Sequence, residues 1–169
     1  NDWSARDIQR WEYQPLGPFL AKSFATTTSP WLVTLDALEP FRIEGIQQDP
    51  EPLANLKTTG KPHFDVQLEV LIQTSSSTKP QRICQSNMKN LYWSPSQQLT
   101  HQASNGTNIQ VGDLYASGTI SGESDDSFGS MLELSWRGQK PIQIRETGET
   151  RTFLEDGDTI IMRAFCQGN

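Results

Sequence analysis

The sequence predicts a mainly β protein, a roll or barrel carrying one or two short helices. Three observations lead there. Residues 63–73 alternate, with Phe64, Val66, Leu68, Val70 and Ile72 on one face and mostly polar groups on the other, the pattern of a half-buried strand. Further short runs, 30–35, 131–136 and 159–166, are apolar or β-branched. Gly, Pro and Ser turns separate these runs, as in small sandwiches and barrels.

Taken in chain order, residues 4–11 suit a short helix that Pro15 and Gly17 end. Residues 30–35 follow as a strand bounded by Ser29-Pro30 and Asp36, and 63–73 as the clearest strand. Residues 74–78 are a Ser/Thr-rich turn. Ser94-Pro95 supplies an N-cap with proline at the first helical position, residues 97–103 continue that helix, and Asn105-Gly106 supplies a left-handed stop. Val111-Gly112-Asp113-Leu114 then reads as a turn into another strand, with 131–136 and 159–166 as the last two strands.

A chain of 169 residues fits one domain or part of one, and at that size roughly 70% of the unfolded surface can be buried. Only 34% of residues are hydrophobic and the mean hydropathy is -0.58, so polar faces and loops are expected to be abundant. A formal charge of -6 argues against nucleic acid or an anionic membrane as partner. Cys84 and Cys166 are too few for a disulfide framework and lack metal-ligand spacing, which fits reduced thiols in a cytoplasmic protein.

Residues 1–9, Asn-Asp-Trp-Ser-Ala-Arg-Asp-Ile-Gln, crowd carboxylates, a guanidinium and amides into a few turns of chain, like the rim of an active site. That string, followed by Trp11-Glu12-Tyr13, Pro15-Leu16-Gly17-Pro18-Phe19-Leu20 and Lys22-Ser23-Phe24, resembles the fumarylacetoacetase family. The resemblance continues through Tyr92-Trp93, Gly112-Asp113-Leu114, residues 116–122 and 128–136, and Cys166-Gln167-Gly168; only 43–62, 73–81 and 138–152 carry no matching string. It implies the family's C-terminal β-sandwich roll, a homodimer, a small diketo-acid substrate, and Mg2+ or Ca2+ as cofactor. It also implies that residues 1–169 are part of the catalytic domain. An upstream portion with more metal ligands and the catalytic histidine would lie outside the chain, as would a last glycine-rich segment, and the chain alone is expected to be inactive.

Asp2 is the expected metal ligand, although the residues alone equally suit a cap on the helix over 4–11. By resemblance Lys22 and Thr26 lie at the same metal site. An ammonium cannot ligate a cation, so Lys22 would act there through its backbone carbonyl or indirectly, while by resemblance its side chain faces substrate. Cleavage of a 1,3-diketone expels a carbanion, and Arg6, Gln9 and Lys22 form a donor set suited to the resulting enolate. Gln9 and Tyr13, four apart, can face one pocket, and the resemblance puts both against substrate; a packed Tyr13 ring is equally compatible with the residues. Thr119, in the glycine-containing run 116–122, is a further substrate contact by resemblance. Glu133 is expected on a strand, where a solvated outer face would also suit it; by resemblance it orients a histidine that activates water. Neither His63, at a strand start, nor His101, on the helix over 97–103, replaces that histidine.

Three functions follow from this reading. The first is hydrolysis of 4-fumarylacetoacetate. The second is cleavage of acylpyruvates or related diketo acids, but the shorter relatives that do so tend to carry an aspartate soon after Lys-Ser-Phe, where this chain has Ala25-Thr26-Thr27. The third is a non-catalytic module that keeps the fold, disfavoured because Asp2, Lys22, Thr119 and Glu133 are all retained.

Overall fold

The computed structural model describes residues 1–168; Asn169, which closes the terminal Cys166-Gln167-Gly168-Asn169 string, lies outside the described residues. Where the sequence suggested one domain or part of one, the chain divides into two compact units, Asn1–Thr34 and Leu35–Asn169.

In the first unit a single turn of helix, α1 (Arg6–Gln9), continues as a 3-10 turn over Arg10–Glu12, close to the helix expected over 4–11. Asp2 does not cap it. Ala5 occupies the N-cap position and no side chain caps that end. Asp2 instead forms an isolated antiparallel bridge with Thr26.

The second unit opens with α2 (Leu35–Leu38), a 3-10 turn over Glu39–Phe41, and β1 (Arg42–Ile43), which pairs antiparallel with β2 (His63–Phe64). Its centre is a three-stranded antiparallel sheet, order β4-β3-β7, built from β3 (Gln67–Gln73), β4 (Gln81–Asn87) and β7 (Thr159–Phe165). A small hairpin, β5 (Ile142–Gln143) with β6 (Thr150–Arg151), accompanies it. Two helices complete the unit, α3 (Pro95–Ala103) and α4 (Met131–Leu134). Sheet is thus the organising structure, the helices are short, and no closed barrel forms among the described residues.

The single strand expected over 63–73 forms as two, β2 and β3, broken at Asp65-Val66, and its alternation is kept only in part: Leu68 and Val70 are half-buried, while Leu71 from the other face is buried. Phe64, Val66, Leu71, Ile72, Cys84 and Ile144 are buried. Pairing of β3 with β4 skips Ile83 between Val70 and Leu71, a bulge that takes up one extra residue of β4. The Ser/Thr turn joins these strands: Thr74 N–H donates to Ser77 Oγ at 2.8 Å, and Ser77 N–H returns to the Thr74 carbonyl at 3.1 Å. The helix at Ser94-Pro95 is also as read, with a reciprocal capping box between Ser94 and Gln97 and a left-handed Gly106 (φ 87°) beyond its end. Beside β6 and β7, Arg151 and Asp158 pair with their side chains 8% and 2% exposed, Nε to Oδ2 at 2.9 Å. Burial works against the charge on Asp158, yet the Arg151 guanidinium and the Glu155 N–H hold its carboxyl below the ordinary value.

Three expectations are corrected. Residues 30–35 do not form a strand: Trp31, Leu32 and Val33 are 83%, 94% and 68% exposed, and β-branched or aromatic residues favour strands only on a half-buried pleated surface. No strand follows the turn at Val111-Gly112-Asp113-Leu114, although that turn forms with Gly112 at φ 99°. Residues 131–136 are helical at their start. Ser130 caps α4, and Trp136, Arg137 and Gly138 are successively left-handed (φ 50°, 59° and 85°), which ends the helix and turns the chain away. Ser-x-x-Glu chemistry at the N-terminus outweighs the apolar density of Met131, Leu132 and Leu134.

Candidate active site

In the unit Asn1–Thr34 the expected residues gather around an ammonium. Lys22 Nζ lies 3.0 Å from Asp2 Oδ2 and donates to the Asp2 carbonyl at 3.1 Å and to Ser4 Oγ at 2.8 Å. Three oxygens thereby fix a side chain that would otherwise sample many rotamers. On α1, Arg6 Nη1 donates to Gln9 Oε1 at 2.8 Å, which locks the two expected substrate donors together one turn apart. The other guanidinium N–H groups of Arg6 and the side-chain NH2 of Gln9 have no hydrogen-bond partner among the described residues and remain able to donate, whereas the Gln9 backbone N–H is held by the Ala5 carbonyl at 2.9 Å. Tyr13 is 58% exposed, so the packed-ring alternative does not hold within this chain. The Asp2–Thr26 bridge brings Thr26 beside Asp2, and Trp3 Nε1 donates to Thr27 Oγ1 at 2.8 Å on the same crossing.

The loop that carries Lys22 is itself held. Glu12 is 6% exposed and accepts from Leu20 N–H at 2.7 Å and Ala21 N–H at 3.2 Å. Sequence reasoning missed it, because a glutamate between Trp11 and Tyr13 gives no local sign of turning inward.

In the second unit Glu133 sits on α4, half-buried. Its Oε2 accepts from Ser130 Oγ and its Oε1 from Ser121 Oγ, both at 2.7 Å, and its own N–H donates to Ser130 Oγ at 3.3 Å. Ser121 Oγ also accepts from Gly129 N–H at 3.0 Å. The carboxylate is therefore oriented by two hydroxyls, neither of which neutralises it, and each oxygen keeps lone-pair capacity for another donor. Gly129 is required by a close approach: a Cβ there would come within 2.8 Å of the Ile120 carbonyl and 2.9 Å of Thr119 Cγ2. The exposed Thr119 thus lies beside Gly129, two residues before α4. Ser121 and Ser130 were not foreseen, although the Ser-x-x-Glu spacing could have revealed the second.

Neither histidine is a hydrogen-bond partner of Glu133. His101 is exposed on α3, and His63 is buried, where desolvation pushes its imidazole below the ordinary value. Cys84 is a free thiol whose pKa is pushed up to about 11 by burial first, then by the charges of Asp126 and Glu133, so it is not a nucleophile at neutral pH. An open cleft of about 580 Å³, lined by Lys79, Arg82, Cys84 and Arg145 among others, contains none of the candidate residues.

Comparison with known proteins places these residues in a family. The family model described as fumarylacetoacetate hydrolase C-terminal matches residues 1–168. The chain belongs to this family. It is 56% identical to the fumarylacetoacetase of Mus musculus over 169 residues, 54% to that of Homo sapiens and 52% to that of Dictyostelium discoideum, in each case across 100% of this chain and 40% of the relative. It thus spans about 40% of the length of the curated relatives it matches.

The fumarylacetoacetate hydrolase family implies a divalent metal. The donors here meet that requirement only in part. A hard cation takes about six oxygens; Asp2 supplies one carboxylate, and its Oδ2 already faces an ammonium. No cluster of three or more His, Cys, Asp or Glu side chains able to hold a metal occurs among the described residues. By itself, then, this donor set does not make a site. No helix among the described residues is long and apolar enough to cross a membrane.

Proposed function

We propose that the protein to which this chain contributes a partial C-terminal catalytic domain hydrolyses the C–C bond of 4-fumarylacetoacetate, giving fumarate and acetoacetate, the final step of tyrosine and phenylalanine catabolism. The observation that carries the reading is the identity of over half of all positions to proteins named fumarylacetoacetase. In this reaction water adds to a carbonyl, the adjacent C–C bond breaks, and its electron pair leaves as the acetoacetate enolate, which then takes a proton.

Lys22, Arg6 and Gln9 would donate to oxygens on which that negative charge develops, with Tyr13 and Thr119 holding substrate. Their support is the fixed ammonium and the unspent N–H groups of the Arg6–Gln9 pair. Glu133 would orient a histidine supplied by the portion of the relatives that this chain does not span, and its serine-held carboxylate suits that task. A divalent cation, Mg2+ or Ca2+, supplies carbonyl polarisation when bound. Asp2, with Thr26 and Lys22 beside it, would contribute this chain's share of that site. The reading also includes a cytoplasmic homodimer acting on a small diketo acid, with no nucleic acid or membrane partner. The open edges of the three-stranded sheet would be completed into the family's sandwich roll or barrel in the whole protein.

The test is hydrolysis of fumarylacetoacetate by the full-length protein, with and without Mg2+ or Ca2+, beside its Lys22→Met and Glu133→Gln variants. Metal-dependent turnover that falls on the order of 100-fold or more in each variant is expected. Cleavage of acylpyruvates in preference to fumarylacetoacetate would overturn the substrate, and undiminished turnover in both variants would overturn the site.

A further inference from the structure

We propose that Glu12 is a positioning residue for the Lys22 ammonium: its buried carboxylate holds the peptide leading into Lys22 in register with the helix that carries Arg6 and Gln9. The inference rests on the reading of Lys22 as a donor to substrate.

The geometry is a chain of contacts through one short segment. Glu12 lies at the end of the 3-10 turn that continues α1, and its side chain reaches back across the loop to accept the N–H groups of Leu20 at 2.7 Å and Ala21 at 3.2 Å. Its carbonyl accepts Gly17 N–H at 3.1 Å, closing the loop between. Ala21 is 0% exposed, and its carbonyl accepts Ala5 N–H at 2.9 Å, immediately before α1. The Leu20–Ala21 stretch is therefore clamped by the carboxylate through its N–H groups and by the start of α1 through a carbonyl. Lys22 is the next residue, and its Nζ lands on Asp2 and Ser4 from this fixed origin.

No ion pair satisfies Glu12 among the described residues. Two backbone N–H groups do, and a charged acceptor binds them more strongly than a neutral one would. Glutamine keeps the shape but offers one oxygen and one NH2, so one of the two N–H groups would meet a donor. Aspartate keeps both oxygens and loses reach by one methylene.

The decisive experiment compares the full-length protein with its Glu12→Gln, Glu12→Asp, Lys22→Met and Glu12→Gln/Lys22→Met variants. Readouts are kcat and KM on fumarylacetoacetate, thermal unfolding, and hydrogen exchange at the Leu20 and Ala21 amides. Glu12→Gln is expected to lower kcat on the order of 100-fold with KM nearly unchanged, the effect of misplacing a catalytic group by about an ångström. Exchange at the two amides should accelerate, Glu12→Asp should recover part of kcat, and Glu12→Gln should cost nothing further once Lys22 is Met. Equal loss with and without Lys22, or unchanged kcat in Glu12→Gln, overturns the proposal. If Glu12→Gln does not fold, the same comparison is made with Glu12→Asp. An inactive Lys22→Met beside a fully active Glu12→Gln removes this inference alone, whereas a fully active Lys22→Met removes the role of Lys22 and this inference with it.

Discussion

Within Asn1–Thr34, Ala21 is the one apolar residue buried among the described residues, while the segment from β2 through β4 buries Phe64, Val66, Leu71, Ile72 and Cys84. The first unit is ordered instead by polar contacts: Glu12 to two backbone amides, Lys22 to Asp2 and Ser4, Arg6 to Gln9. Apolar burial is non-directional and contributes in proportion to area, so it supplies stability. Hydrogen bonds contribute little net energy each but fix direction, which a catalytic donor needs. The difference teaches that apolar burial and the orientation of the candidate donors rest on different residues of this chain.

The comparison can be broken, and the sharpest blow falls on the sheet. Ile72 is 1% exposed, so Ile72→Ala should destabilise the full-length protein by about 3 kcal/mol in denaturant unfolding. A cost near zero would mean that this core does not carry the fold. A smaller effect depends on pH. Burial holds His63 below its ordinary 6.5, so the unfolded chain binds its proton first on acidification; stability is fully present above 6.5 and declines as pH falls below it toward the folded value. His63→Gln should flatten that part of the stability profile between pH 7.5 and 5.5, about one unit either side of 6.5, and an unchanged slope would place the effect on other groups. Smallest of all is the expected stability effect of Lys22→Met. The Lys22–Asp2 pair has side-chain exposures of 33% and 41%, and such pairs contribute at most about 1 kcal/mol. Removing it should leave the unfolding midpoint almost unmoved while turnover collapses; a large loss of stability would show that the polar unit is structural after all.

Legibility followed the same division. The extended character of 63–73 (though not its break at 65–66), the Ser94 cap and the Gly106 stop were readable because each depends on neighbours in sequence: a period of two, a side chain reaching three residues on, a residue free to take positive φ. Residues 131–136 were misread because apolar density was weighed above Ser130-x-x-Glu133, a helix start that was equally local. Residues 30–35 were misread because a strand needs a surface to pair and pack against, which Trp31, Leu32 and Val33 do not find in this chain. The candidate site was visible as residue types and as a family resemblance, but its wiring was not. Contacts such as Thr74 with Glu149 and Gln81 with Gln143, more than sixty residues apart, have no sequence signature either.

By itself the sequence determined the family, the central strand and the capped helix, and it named the candidate site residues, because motif strings and periodicity are local properties of the chain. Only the tertiary structure decided that Glu133 stands on a helix between two serines, that Asp2 meets Lys22 rather than capping a helix, and that Glu12 turns inward to hold Leu20 and Ala21. A carboxylate finds its partners across loops that the backbone closes, and its choice among them rests on distance and burial, which no run of neighbouring residues encodes.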